Sequence, residues 1–113
     1  MNEFTMIYRG AQDPNVQFSP EQMQSILQQW RDWMMSIAEQ DKMANPGNRL
    51  SFEGAVLKPN NVITDGPYVE IKEIISGYTI IKADTLADAI EIAKGCPILK
   101  ADGSVEVRGV IPM

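Results

Sequence analysis

Ile74-Ile75-Ser76-Gly77-Tyr78-Thr79-Ile80-Ile81-Lys82-Ala83 is the strongest strand in the sequence. Read with a period of two, Ile74, Tyr78 and Ile80 fall on one side, and Ile75, Gly77, Ile81 and Ala83 on the other. Apolar residues on both sides describe a central strand covered on two faces. Upstream, Glu3–Arg9 alternates Phe4, Met6 and Tyr8 with Thr5, Ile7 and Arg9, the pattern of another strand. Downstream, Ser104–Ile111 alternates Val105, Val107 and Ile111 with Glu106 and Arg108. A further strand is expected over Arg49–Leu57, with Gly54 as a bulge. Pro59-Asn60-Asn61 reads as a turn, Val62-Ile63-Thr64 as a short strand and Asp65-Gly66-Pro67 as its break.

Two helices separate these strands. Ser19, Pro20 and Gln22 have the spacing of a capping box with proline at the first helical position, and Phe18 and Met23 can staple its start. Met23, Ile26, Leu27, Trp30, Met34, Ile37 and Ala38 form the expected buried stripe. The helix should end near Asp41–Ala44, before Asn45-Pro46-Gly47. The second helix runs over Leu86–Lys94, capped by Thr85 and closed by Gly95, with Leu86, Ala89, Ile90 and Ala93 inward.

The order β-α-β-β-α-β defines an α+β fold of ferredoxin-like type, an antiparallel sheet with both helices on one face. The other face is expected to be too apolar for water, and a second copy packed sheet to sheet is its simplest cover. The competing reading is that these side chains are scattered surface residues.

At 113 residues the chain suits one domain, and 44% hydrophobic with 22% charged residues is a globular rather than a disordered composition. A formal charge of −5 argues against nucleic acid, whose phosphates need a dense basic face. The absence of histidine removes the usual general base, the commonest zinc ligand and every Ser-His or Cys-His pair. No metal cluster or cofactor loop has the required spacing, so no cofactor is expected. The lone Cys96, the absence of a signal peptide and the lack of a long apolar run point to a cytoplasmic protein without a membrane partner.

Asp65-Gly66-Pro67-Tyr68-Val69-Glu70-Ile71-Lys72-Glu73 resembles the signature of the YCII-related, or DGPF, family, whose run is D-G-P-F-x-E-x-K-E followed by a glycine-aromatic pair. Tyr68 stands for the phenylalanine, and Gly77-Tyr78 supplies the pair. The resemblance continues through Asp84–Ile90, Gly95-Cys96-Pro97 and Gly103–Arg108, and back to Ser19-Pro20-Glu21 and Trp33-Met34. It implies a dimeric α+β barrel. Some YCII-like relatives use a histidine–aspartate pair, and one branch acts on chlorinated aromatic diols; a chain without histidine cannot inherit that mechanism. The DGPF branch often lies near genes for alternative sigma factors, which implies regulation.

Within this run Asp65 or Glu70 is the candidate proton-transfer group, and Lys72 the candidate stabiliser of an anion. Tyr8, Tyr68, Glu73 and Tyr78 are candidate ligand contacts. The plainer reading makes Asp65 a turn residue, Glu70 and Lys72 a surface ion pair, and Tyr8 and Tyr78 packed rings with wet hydroxyls. One of Trp30 and Trp33 should be core, and the other should cover a pocket or a dimer contact. Cys96 follows a helix C-terminus, where a thiolate is disfavoured, and reads as packing rather than nucleophile. The expected function is a homodimer binding a small organic ligand, with acid–base chemistry in the Asp65–Glu73 run. The alternative is a non-catalytic regulatory or interaction module associated with transcription or stress response; a cofactor-free oxygenase rests on fold analogy alone.

Overall fold

The computed structural model describes residues 1–10, 17–65 and 73–113. Strand β1 (Asn2–Arg9) lies inside a four-stranded antiparallel sheet. On one side it pairs with β5 (Ile75–Ala83), which in turn pairs with the short edge strand β2 (Met43–Asn45); on the other it pairs with β6 (Ser104–Gly109). Helix α1 (Pro20–Glu39) links β1 to β2, and α2 (Leu86–Ala93) links β5 to β6. Each helix therefore joins two parallel strands with an antiparallel strand between them. A separate hairpin, β3 (Ala55–Lys58) and β4 (Val62–Asp65), is inserted before β5.

The expected capping box forms in full. Ser19 Oγ accepts the Gln22 N–H at 3.1 Å, and Gln22 Oε1 accepts the Ser19 N–H at 2.9 Å. The other end departs from expectation, because α1 stops at Glu39 rather than near Asp41–Ala44. Asp41 takes a left-handed conformation (φ 59°); its N–H bonds Ala38 O at 2.9 Å, and the Lys42 N–H bonds Ile37 O at 3.1 Å. That is a Schellman ending with aspartate in the place glycine usually takes. It releases Met43 early enough to enter the sheet.

This moves the second strand. Its expected span, Arg49–Leu57, is corrected to Met43–Asn45 followed by an interruption. Asn45 Oδ1 accepts the Gly47 N–H at 2.8 Å across Pro46, and Gly47 turns at φ 71°. The chain then regains the sheet: Asn48 O accepts the Tyr78 N–H, Arg49 bridges Gly77, and the Leu50 N–H bonds Ser76 O. Pro46 has no N–H to give a ladder, and an edge strand is where a sheet tolerates such a break.

The core lies between one sheet face and the helices. Phe4, Met6 and Tyr8 from β1 meet Ile81 and Ala83 from β5, Trp33 and Ile37 from α1, and Ala89, Ala93, Cys96 and Ile98 beyond. The helix stripes are corrected here. On α1 only Trp33 and Ile37 are buried; Ile26, Trp30 and Met34 are half-buried, while Met23, Leu27 and Ala38 are exposed. On α2, Ala89 and Ala93 face inward with Ile92 beside them, whereas Leu86 and Ile90 are exposed. The alanines let α2 lie close to the sheet, which turns its larger side chains outward.

Candidate functional site

The face of the sheet away from the helices carries the candidate site. Strand alternation sends Thr5, Ile7 and Arg9 to this side, together with Ser76, Tyr78, Ile80 and Lys82 from β5. The register sets Tyr78, Ile7 and Glu106 in one row across β5, β1 and β6, and Ile80, Thr5 and Arg108 in the next. The centre is apolar and the β6 side is charged. The expectation of a wholly apolar face is thus corrected to an apolar strip bordered by ions.

At one end of the strip Arg9 makes three contacts. Its Nε and Nη2 donate to Glu106 Oε1 at 3.4 and 3.2 Å, and its Nη1 donates to Glu73 O at 3.0 Å. Arg108 Nη1 lies 3.8 Å from the other Glu106 oxygen. A half-exposed pair like Arg9–Glu106 contributes only about 0.2–1 kcal/mol. Its consequence is positional: a planar fork held by a carboxylate fixes the carbonyl of Glu73, the last residue of the Asp65–Glu73 run. The neighbouring Gly10 N–H bonds Ile74 O at 2.9 Å, so two successive residues, Glu73 and Ile74, are tied to the end of β1. On the β2 side of the face, the Tyr78 hydroxyl accepts from Asn48 Nδ2 at 3.4 Å.

The candidates named from sequence fall in different places. Tyr78 is on the open face. Glu73 is exposed and is bound through its backbone carbonyl. Asp65 ends β4, its backbone opposite Ala55. Tyr68, Glu70 and Lys72 lie outside the described residues. Tyr8 is on the opposite face, in the core, and its hydroxyl is dry rather than wet. It donates to Thr79 Oγ1 at 2.6 Å, and that hydroxyl donates to Pro46 O at 3.0 Å. The relay satisfies buried polar atoms and holds the backbone of the β2 interruption from below. Arg9 and Glu106 were not singled out from sequence. Opposite charges alternate with apolar residues on both strands, but only the sheet order makes those strands neighbours.

Trp33 is the core tryptophan, with its indole N–H donating to Ile92 O at 3.1 Å. Trp30 is half-buried and lines an open apolar groove on α1 with Leu27, Arg31, Met34 and Met35. Tyr8, Trp30 and Trp33 meet edge to face, with ring centres 5.0–6.2 Å apart.

Burial pushes the Tyr8 phenol upward, and burial pushes the Cys96 thiol up to about 12 from an ordinary 9.0. Well below pH 9 both folded and unfolded chains keep these protons, so neither group changes stability there. Above it the unfolded chain loses the thiol proton while the folded chain retains it, and stability falls with rising pH up to about 12. Denaturant midpoints measured from pH 8 to 11 should therefore decline, and Cys96→Ala should flatten part of the slope. A native thiol that reacts with an aromatic disulfide reagent as fast as the denatured one would contradict this burial.

Comparison with known proteins places the chain. The family model for the YCII-related domain matches residues 4–113, and the chain belongs to that family. Among solved structures it is similar to 5-chloro-2-hydroxyhydroquinone dehydrochlorinase from Burkholderia phenoliruptrix AC1100, in complex with 2,5-dihydroxybenzoquinone. The identity is 14% over 94% of this chain and 90% of that one, with a TM-score of 0.49. No curated protein matches. No helix among the described residues is long and apolar enough to cross a membrane.

Proposed function

We propose that this chain is a small-molecule-binding homodimer whose ligand site lies where the Asp65–Glu73 run rejoins the open sheet face. The observation that carries it is the Arg9 clamp: one guanidinium holds both the Glu106 carboxylate and the Glu73 carbonyl. A fixed end to the run, next to an apolar strip, gives the orientation a ligand site needs. In this reading Glu70 or Asp65 transfers the proton, Lys72 stabilises developing negative charge, and Tyr68, Glu73 and Tyr78 line the site.

The dimer supplies the second wall. A stable two-fold interface needs about 800 Å² from each partner. Packing the open faces together would take Ile7, Tyr78 and Ile80 of both copies out of water.

Ligand-induced melting shifts across a metabolite library test the site. Losing one charge-assisted hydrogen bond costs about 1.5–3 kcal/mol, or roughly tenfold to hundredfold in affinity. Glu70→Gln and Lys72→Met are each expected to abolish most of the wild-type shift, and Arg9→Met to reduce it without touching the ligand. If all three variants retain wild-type shifts, the site lies elsewhere. If no compound shifts the wild type, the regulatory reading takes its place.

A further inference from the structure

Adjacent residues of a strand point to opposite faces, so Tyr78 stands on the open face and Thr79 points into the core. The segment Pro46–Asn48, where β2 is interrupted, touches both. On the core side Pro46 O accepts from Thr79 Oγ1 at 3.0 Å, and Thr79 Oγ1 in turn accepts from the Tyr8 hydroxyl at 2.6 Å. On the open side the Gly47 backbone lies against the Tyr78 ring. A Cβ built on Gly47, in the direction of one of its α-protons, falls 3.0 Å from Tyr78 Cδ2. The next residue, Asn48, donates from Nδ2 to the Tyr78 hydroxyl at 3.4 Å, and its backbone O accepts the Tyr78 N–H at 3.2 Å.

The direction of the buried relay follows from its chemistry. A carbonyl only accepts, so the one Thr79 proton goes to Pro46 O and the Tyr8 proton fills the Thr79 oxygen. Thr79 has no exposed surface, so its hydroxyl depends on these two partners. Pro46 and Asn48 are exposed and Gly47 is half-buried, so little apolar packing holds this segment and its hydrogen bonds decide where it sits. We infer that Thr79 and Tyr8 are positioning residues for Tyr78: two hydroxyls on the core face set, through Pro46–Asn48, where the Tyr78 ring stands on the open face. The inference rests on the proposed ligand site only in counting Tyr78 among its contacts. It gives Tyr8 a part in that site from the far side of the sheet, without contact with a ligand.

Nuclear magnetic resonance on the full chain without ligand reads this coupling. Wild type should show a cross-relaxation peak between a Gly47 α-proton and the Tyr78 ring, and Thr79→Ser, which keeps the hydroxyl, should preserve it. Thr79→Val keeps the shape and removes the hydroxyl. It should lose that peak and speed exchange of the Tyr78 and Leu50 amides about tenfold beyond any change in the amides that pair β1 with β6, the size of one lost hydrogen bond. Tyr8→Phe deletes only the far hydroxyl and decides the matter where Thr79→Val does not fold: it should weaken the same peak and speed the same two amides by a smaller factor. A folded Thr79→Val that keeps the peak, or that speeds the β1–β6 amides equally, overturns the inference, because the relay then only supports the fold. A Tyr8→Phe chain that matches wild type at Gly47, Leu50 and Tyr78 overturns it too. The measurement uses no ligand, so it stands or falls apart from the melting shifts that test the site.

Discussion

Gly47→Ala should lose about 3 kcal/mol or more of folding stability. Two independent costs coincide at this residue. Its φ of 71° lies where an L side chain meets its own backbone, a penalty of about 1–2 kcal/mol. A Cβ built there also falls 1.8 Å from the carbonyl oxygen of Tyr78, a backbone atom of the sheet's inner strand β5. Relief requires moving either β5 or the returning segment Asn48–Leu50, which bonds it on both sides of Gly77. The Thr79–Pro46 hydrogen bond opposes the second movement. Gly54→Ala is the internal control, since nothing lies within 4 Å of its added Cβ. Urea unfolding should show Gly54→Ala within about 0.5 kcal/mol of wild type. A Gly47→Ala curve that overlays the control would refute the geometry of the β2 interruption.

Trp33→Ala is expected to cost about 3–5 kcal/mol. The ring is buried, its edges meet Tyr8 and Trp30, and its N–H satisfies the Ile92 carbonyl at the end of α2. Truncation leaves a cavity between both helices and β1, and a half-buried carbonyl without that donor. Domains have only about 5–15 kcal/mol in total, so the variant should be near the limit of folding at 37 °C. Trp30→Ala should cost less than half as much, because that ring is already partly in water. Equal losses for the two variants would mean that the core is not organised around Trp33.

Much of this fold is legible in local chemistry. The capping box at Ser19–Gln22 forms as read, and Ile75–Ala83 is an inner strand within one residue of the expected start. Alternation on β1 correctly separates Phe4, Met6 and Tyr8 from Thr5, Ile7 and Arg9. The errors share a cause: they depend on contacts distant in sequence. Asp41 ends α1 by adopting a conformation that glycine takes more readily, so no local glycine signals it. Met43–Asn45 is too short for a period to show and is a strand only because β5 offers Ile80 and Ile81 as partners. The apolar residues of α1 cover more of its circumference than the sheet does, so periodicity alone cannot tell Trp33 from Leu27.

The site was legible to a different degree. The Asp65–Glu73 run carried the family resemblance, and the match over residues 4–113 establishes that family. The Arg9–Glu106 clamp was not visible, because it exists only once β1 and β6 are adjacent. A charge pair 97 residues apart has no local signature.

Sedimentation equilibrium of the wild-type chain from micromolar to millimolar concentration decides whether two copies associate. A homodimer gives a species of twice the 12.6 kDa chain mass that dissociates only on dilution. A folded chain that remains at 12.6 kDa throughout would contradict it.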